Sequence, residues 1–358
     1  MTVIKGRGST QNPPGRFEST HAVAEDDGWW NEIEPEVLRT EVRAETAKSI
    51  ISRNESPDIP FDQSINPYRG CEHGCVYCYA RPTHEYLNLS PGLDFETRLS
   101  AKMNAVDLLR EELAKPGYTV SPINFGANTD PYQPIERRLQ LTRQLLTLLL
   151  ECRHPLSIVT KNALVLRDLD LLRELASQRL VQVYVSITTA DNALAARLEP
   201  RASAPQARLR AVAALAAAGV PVGVFVAPVI PAITDHELEH LMSAAREAGA
   251  TSLSYTLVRL PHAVKDLFRD WLAEHYPVRA AHVMSLIQQM RGGADNDPRF
   301  HTRMRGSGQY AELLQRRFEV QRRKLGLATR DSGAELDCTR FVAPPRARPP
   351  SPQGDLFG

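Results

Sequence analysis

Residues 64–86 read SINPYRGCEHGCVYCYARPTHEY. Within this stretch Cys71, Cys75 and Cys78 stand in a C-x3-C-x2-C spacing beside Gly70 and Gly74. Three thiolates on one loop can each hold one iron of a four-iron cluster. The fourth iron then lacks a protein ligand and stays open to a small molecule, whereas an ordinary ferredoxin loop supplies four cysteines. Cys152 and Cys338 lie far off and show no paired motif. Zinc is the alternative metal, with His73 or His84 as fourth ligand. Haem attachment is excluded, because Tyr79 rather than histidine follows Cys78. The spacing favours iron–sulfur over zinc, and a triplet this close argues against thiols that merely pack.

Outward from the loop, short apolar runs alternate with helical patterns. Residues 64–70 precede the cysteines, and 120–127, 156–160, 181–188, 222–226 and 253–258 read as strands. Residues 137–152, 164–175 and 206–218 read as helices, the last closed by Gly219. Thr234 and Glu237 fit a capping box, followed by Leu238, Leu241, Met242, Ala245 and Ala248 on one face and a stop at Gly249. Such alternation predicts an α/β fold, a parallel sheet with helical crossovers. Six strands suit an open, partial barrel, although the period alone does not separate it from a doubly wound sheet.

The chain has 358 residues, which allows one large or two ordinary domains. A hydrophobic share of 42% is enough for a sizeable core. With 43 Lys+Arg against 42 Asp+Glu the net charge is +1, so the whole-chain balance does not point to nucleic acid. No run approaches the ~18 apolar residues of a membrane span. The start, MTVIKGRGSTQNPPGRF, lacks the apolar core of a secretory signal, and five cysteines make no disulfide scaffold. The expected organisation is a weakly ordered arm over 1–40, in which Trp29 and Trp30 either dock on the core or form a partly exposed aromatic pair, and a lead-in over 41–60. The core follows over 61–298, then a basic helical extension over 299–330 and a flexible tail over 331–358.

The cysteine loop, with aromatic Tyr77 just ahead of the third cysteine, resembles the cluster loop of the radical S-adenosylmethionine (SAM) superfamily. The string NPYRGCEHGCVYCYARPTH, with NTDPYQPIE at 128–136, resembles an uncharacterised bacterial family of that superfamily related to spore photoproduct lyase. The resemblance covers roughly residues 62–261. It implies a partial (βα)6 barrel with a [4Fe-4S] cluster and SAM at the C-terminal mouth of the strands. It further implies reductive cleavage of SAM to methionine and a 5′-deoxyadenosyl radical, a flavodoxin or ferredoxin reductant, and a cytoplasmic location.

The same resemblance selects site residues at strand ends. Asn128, Thr129 and Asp130 stand where relatives carry a Gly-Gly-Glu-like segment facing the cofactor's amino group, with turn capping as the other role for Asp130. Lys161 ends the third strand as a lysine does in the photoproduct lyase, placing it to pair the cofactor's carboxylate. Ser186 and Thr188 stand where ribose-binding side chains occur. Arg208 matches an arginine that reaches the carboxylate, and Tyr77 is expected near the adenine. Cys338, in LDCTRF, is a candidate hydrogen donor to a product radical, against the plainer reading of an incidental cysteine.

Two features lie outside the resemblance. Residues 301–330 hold eight Lys and Arg against two Glu, and 309–325 read as a helix with Leu313, Leu314, Phe318 and Val320 apolar. It is read either as a phosphate-contacting helix near the mouth, touching DNA or RNA, or as a solvated face over an apolar stripe. The tail ends in Gln353-Gly354-Asp355-Leu356-Phe357, which resembles the peptide by which bacterial repair proteins dock on the sliding clamp. Three functions compete: a radical enzyme acting on nucleic acid, a radical enzyme acting on a protein or small molecule, and a metal-cluster adaptor without radical chemistry.

Overall fold

Val181-Gln182-Val183-Tyr184-Val185-Ser186 shows how the sheet is built. Successive side chains of a strand point to opposite faces. Val181, Val183 and Val185 join the main apolar cluster beneath the helices, and all six residues are buried. A strand covered on both faces reads as a near-continuous apolar run, which is the mark of a parallel sheet.

The computed structural model describes residues 6–17, 38–330 and 335–345. Six parallel strands follow one another in chain order: β1 Gln63–Ile65, β2 Ile123–Phe125, β3 Leu156–Thr160, β4 Val181–Ser186, β5 Val222–Val229 and β6 Ser252–Leu257. Their register runs Gln63↔Ile123↔Leu156↔Val181, then Val183↔Val222 and Gly223↔Ser252. The strand Ile51–Arg53 pairs antiparallel with β1, and β7 (Ala328–Thr329) pairs parallel with β6. Among the described residues β1 and β6 do not pair with each other, so the sheet is an open, partial barrel. The C-terminal segment bridges that seam. Arg303 pairs with Asp58 at 2.5 Å, and Arg330 lies 5.8 Å from the Phe61 ring.

The helices are α1 Ala105–Leu113, α2 Leu141–Glu151, α3 Leu169–Ser177, α4 Asn192–Leu198, α5 Pro205–Ala217, α6 Leu238–Glu247, α7 Val264–His275, α8 Ala280–Gln289 and α9 Gln309–Lys324. The crossover helices bury apolar stripes on the sheet, as with Leu145, Leu146, Leu148 and Leu149 of α2. Because each crossover returns the chain to the base of the sheet, all strand C-termini share one end, the mouth. None of the described helices is long and apolar enough to cross a membrane.

Several expectations need correction. The helix predicted over 137–152 is broken at Gln140, whose φ of 52° separates Glu136–Leu139 from α2. The helix predicted from 164 starts as a 3-10 turn, Ala163–Asp168. The capping box does not form. Thr234 Oγ1 accepts from the Ile230 N–H at 2.9 Å, and the Glu237 carboxylate accepts from Thr189 Oγ1 and Ala190 N at 2.7 and 2.6 Å. The basic helix α9 is not at the mouth with its charge. It runs alongside α6, tied by Tyr310 to Asp235, Arg317 to Glu239 (2.6 Å) and Gln321 to Ser243 (3.0 Å). Its arginine-rich end therefore points to the base, where the chain enters β7 opposite Ser252. α9 is thus a further crossover, packed through Leu314 and Phe318. Trp29, Trp30 and the tail peptide Gln353, Leu356 and Phe357 lie outside the described residues.

The arm also differs from expectation, since residues 6–17 are bound to the cluster loop's support. Glu96 accepts from the backbone N–H groups of Gly8 and Ser9 at 3.0 and 2.9 Å and pairs with Arg81. Arg7 donates to the Glu96 and Leu38 carbonyls at 3.0 and 2.8 Å. The approach is so close that a Cβ on Gly8 would meet the Gly74 oxygen at 1.7 Å. Arg81 and Glu96 are both fully buried, so neither charge can turn to water. Removing one partner of such a pair costs about 3–5 kcal/mol. We expect Arg81→Met to lower the urea midpoint accordingly and to expose Arg16 to trypsin. An unchanged midpoint and digestion pattern would contradict this account of the loop's support.

Candidate active site

The cysteine loop leaves β1 at the mouth. Its turns close through Cys71 N–H to Phe95 O (2.9 Å) and Cys78 N–H to Cys75 O (3.1 Å). Gly74 has φ 66°, and a Cβ there would lie 2.7 Å from the Glu96 carboxylate. Arg81 donates to the carbonyls of Gly74, Cys75, Pro91 and Gly92 at 2.8–3.2 Å, fixing the path of the loop from inside. The three thiols are free, and burial pushes each of them above the ordinary thiol range. A metal that binds as the thiolates form removes that penalty.

The donor set fits a cluster better than a zinc ion. His84 Nε2 lies 2.9 Å from the Arg98 carbonyl. His73 is buried between Asn162 at 3.1 Å and the Asp130 carboxylate at 3.4 Å. Both histidines that would complete a zinc site are engaged elsewhere. Among the described residues no group of three or more His, Cys, Asp or Glu converges on a single ion.

Beside the loop, several strand-end residues meet on one carboxylate, Glu199. Lys161 Nζ lies 2.9 Å from Glu199 Oε1, 2.9 Å from Ser186 Oγ and 3.1 Å from Thr188 Oγ1. Thr188 Oγ1 donates to Glu199 Oε1 at 2.6 Å, and Tyr77 donates its phenol proton to the same carboxylate. Arg208 donates to Glu199, to the Ser203 carbonyl at 2.7 Å and to the Ser186 carbonyl at 3.0 Å. Burial alone would raise the Glu199 pKa, but Arg208 and Lys161 hold it well below the usual carboxylate range. Burial and then Glu199 push the Tyr77 phenol far up, so it stays a donor. The Cys75 thiol lies within the field of Glu199, Lys161 and Arg208. The cluster loop and this charge group therefore adjoin.

The remaining predicted residues separate into braces and bystanders. Asp130 accepts from Tyr132 N–H, Thr160 Oγ1 and Lys161 N–H at 2.7–2.8 Å, so the turn-capping role holds. Against burial, His73 keeps its carboxyl ionised. Thr129 donates its hydroxyl proton to Tyr68 O at 3.1 Å, and the N–H groups of Asn128 and Thr129 share Asn66 Oδ1. The Asn128 side chain is exposed. Arg208 is corrected: all three guanidinium nitrogens are used inside the protein and 1% of the side chain is accessible, so it holds Glu199 and not a ligand. Cys338 is corrected as well. Its neighbours Asp337 and Val342 bond to the Arg179 carbonyl ahead of β4 and the Cys152 carbonyl ahead of β3. It sits at the base of the sheet, the opposite end from the cysteine loop.

Sequence reading missed Glu199, Glu96 and Arg81. A signal for Glu199 existed. It is the residue that ends α4, where the helix dipole disfavours an acid, so a buried cation was required nearby.

Residues 65–245 match the family model of the radical SAM superfamily. The chain is 42% identical over 221 residues to an uncharacterized protein of Mycobacterium bovis, covering 61% of this chain and 65% of that one. An uncharacterized protein of Methanocaldococcus jannaschii is 31% identical over 231 residues, covering 64% and 82%. Among solved structures, a spore photoproduct lyase variant superposes with a TM-score of 0.53 at 16% identity, covering 80% of this chain and 81% of that one. Another variant, with bound AdoMet and dinucleoside spore photoproduct, gives a TM-score of 0.52 at 16% identity and the same coverage. With half of its length matched by the family model and a partial barrel of the same fold, the chain belongs to the radical SAM superfamily.

Proposed function

We propose that this SAM-dependent radical enzyme holds a [4Fe-4S] cluster on Cys71, Cys75 and Cys78 and binds SAM against the Glu199–Lys161 group at the mouth. The observation that carries the reading is three free thiols on a loop whose Tyr77, between Cys75 and Cys78, bonds to Glu199 and lies under Lys161, with Nζ 5.7 Å from its ring. The chemistry such a cluster supplies when bound is one-electron reductive cleavage of a SAM C–S bond, giving methionine and a 5′-deoxyadenosyl radical, with the electron drawn from a flavodoxin or ferredoxin.

The chain's own residues bind, orient and shield. Lys161 has 16% of its side chain accessible, and Glu199, Ser186, Thr188 and the Ala227 carbonyl (3.1 Å) fix the direction of its ammonium. As the cation of this group that is not fully buried, it is assigned to the cofactor's carboxylate, in exchange for one of these contacts. Tyr77 and Arg208 act through Glu199 as positioning residues, which replaces the direct carboxylate contact expected of Arg208. Ser186 and Thr188, at 5% and 1% accessible, hold the Lys161 ammonium and lie 2.9 Å from the Ala227 carbonyl, a positioning role that replaces the direct ribose contact expected of them. Asp130 and His73 brace the second strand end against the cluster loop.

Anaerobic reconstitution with iron and sulfide, followed by reduction with SAM present, is expected to yield 5′-deoxyadenosine and methionine. Cys71→Ala, Cys75→Ala and Cys78→Ala should each lose iron and product. One zinc per chain without acid-labile sulfide would end the reading. Lys161→Met should retain iron but weaken SAM binding at least about tenfold, since a charge-assisted contact is worth ~1.5–3 kcal/mol. Equal SAM affinity in that variant would remove Lys161 from the site.

A further inference from the structure

Three of the exposed aromatic rings stand at the mouth, and arginines accompany them. Among the described residues the exposed aromatics are Phe17, Tyr79, Tyr86 and Phe300. Phe17 and Tyr86 stack at 5.2 Å, and Arg16 lies 5.2 Å from the Phe17 ring. Arg259 lies 5.3 Å from the Tyr79 ring, and Arg303 lies 4.8 Å from the Phe300 ring. Tyr79 directly follows the cluster ligand Cys78, and its hydroxyl donates to the Ala127 carbonyl beyond β2. Arg16 reaches His262 at 3.2 Å, in the same β6 exit loop as Arg259. These contacts link the rings of Phe17, Tyr86 and Tyr79 into one rim.

The rim is also cationic. Arg259, Arg330 and Arg303 all lie within the electrostatic reach of the Tyr79 hydroxyl. Arg330 covers the Tyr184 and Phe225 rings, each at 5.1 Å, inside the barrel. Asp58 offsets Arg303, and Glu85 offsets Arg16. Arg259 is different. Among the described residues it meets the Tyr79 ring and the Met304 sulfur at 3.6 Å, no carboxylate pairs with it, and its buried Nε has no hydrogen-bond partner. A half-buried guanidinium with no carboxylate partner, stacked on an exposed ring, is suited to an anion that arrives with a planar group.

We infer that the mouth binds a single-stranded nucleic acid segment, with Arg259 on a backbone phosphate and bases stacked on Tyr79 and on the Phe17–Tyr86 pair. Alternating stacking rings and arginines are the physical means of holding an unpaired strand, because every base offers a π-face and every step a phosphate. An acidic peptide supplies the charge without the rings, and a duplex keeps its bases stacked on each other. The inference rests on reading the mouth as the reactive end, but it concerns binding alone.

The test is fluorescence anisotropy of the full-length protein with a labelled single-stranded oligonucleotide, without SAM or reductant. Failure here is therefore distinguishable from failure of the cofactor reading, which 5′-deoxyadenosine formation reports. Binding should weaken between about 50 and 200 mM salt. The double variant Phe17→Ala, Tyr86→Ala should bind about fivefold or more weakly, the low end for one lost stack. Arg259→Gln should reduce the log–log salt slope by about one. Arg316→Gln with Arg323→Gln, exposed on α9 and away from the mouth, should change neither. No binding at low salt would overturn the inference, as would tighter binding of the duplex, equal competition by polyglutamate, or an equal loss in the α9 variant.

Discussion

Glu199 is a carboxylate buried at the C-terminal end of a helix, where both desolvation and the helix dipole oppose its charge. The site depends on how that opposition is met. Arg208 enters from α5, Lys161 from the end of β3, Thr188 from the end of β4 and Tyr77 from the cluster loop. Four separate segments of chain are thereby held to one pair of oxygens. A buried charge group of this kind adds little net stability against an apolar equivalent, but it tolerates few alternative arrangements. Its value here is position: it sets Lys161 beside the cysteine loop, 5.7 Å from the Tyr77 ring.

The loop itself is held from the other side by the Arg81–Glu96 pair, and through it by the N-terminal strap. The two buried carboxylates are alike in principle. Each ties the loop to a part of the chain distant in sequence, Glu199 to the strand ends and Glu96 to residues 7–9. The loop between them carries three cysteines that make few packing demands of their own. Rigidity is supplied by the surroundings, which suits a loop whose side chains are committed to a ligand.

Much of the barrel is legible in the sequence because its signals are local. β3 falls at 156–160, and β4 starts at Val181, because alternating or continuous apolar runs report a strand directly. The cysteine spacing is equally local. What the sequence hides is pairing over distance. Gly8 and Glu96 are separated by 88 positions, and nothing near residue 8 announces a buried carboxylate partner. Arg208 reads as a helix arginine whether it faces solvent, ligand or Glu199. The charge of α9 can be counted from sequence, but its direction along the barrel cannot, and direction moves its arginines from the mouth to the base. Glu237 fits a capping box by spacing, yet the neighbouring strand end offers it Thr189 and the Ala190 N–H instead.

In the proposed function, the three-cysteine loop leaves one iron for the amino acid end of SAM, held by Lys161 under the control of Glu199. Electron paramagnetic resonance of the reduced, reconstituted protein addresses it directly. The wild type is expected to show a [4Fe-4S] signal that changes when SAM is added, and the Lys161→Met protein a signal that needs far more SAM to change. A reduced cluster whose spectrum is the same with and without saturating SAM would contradict it.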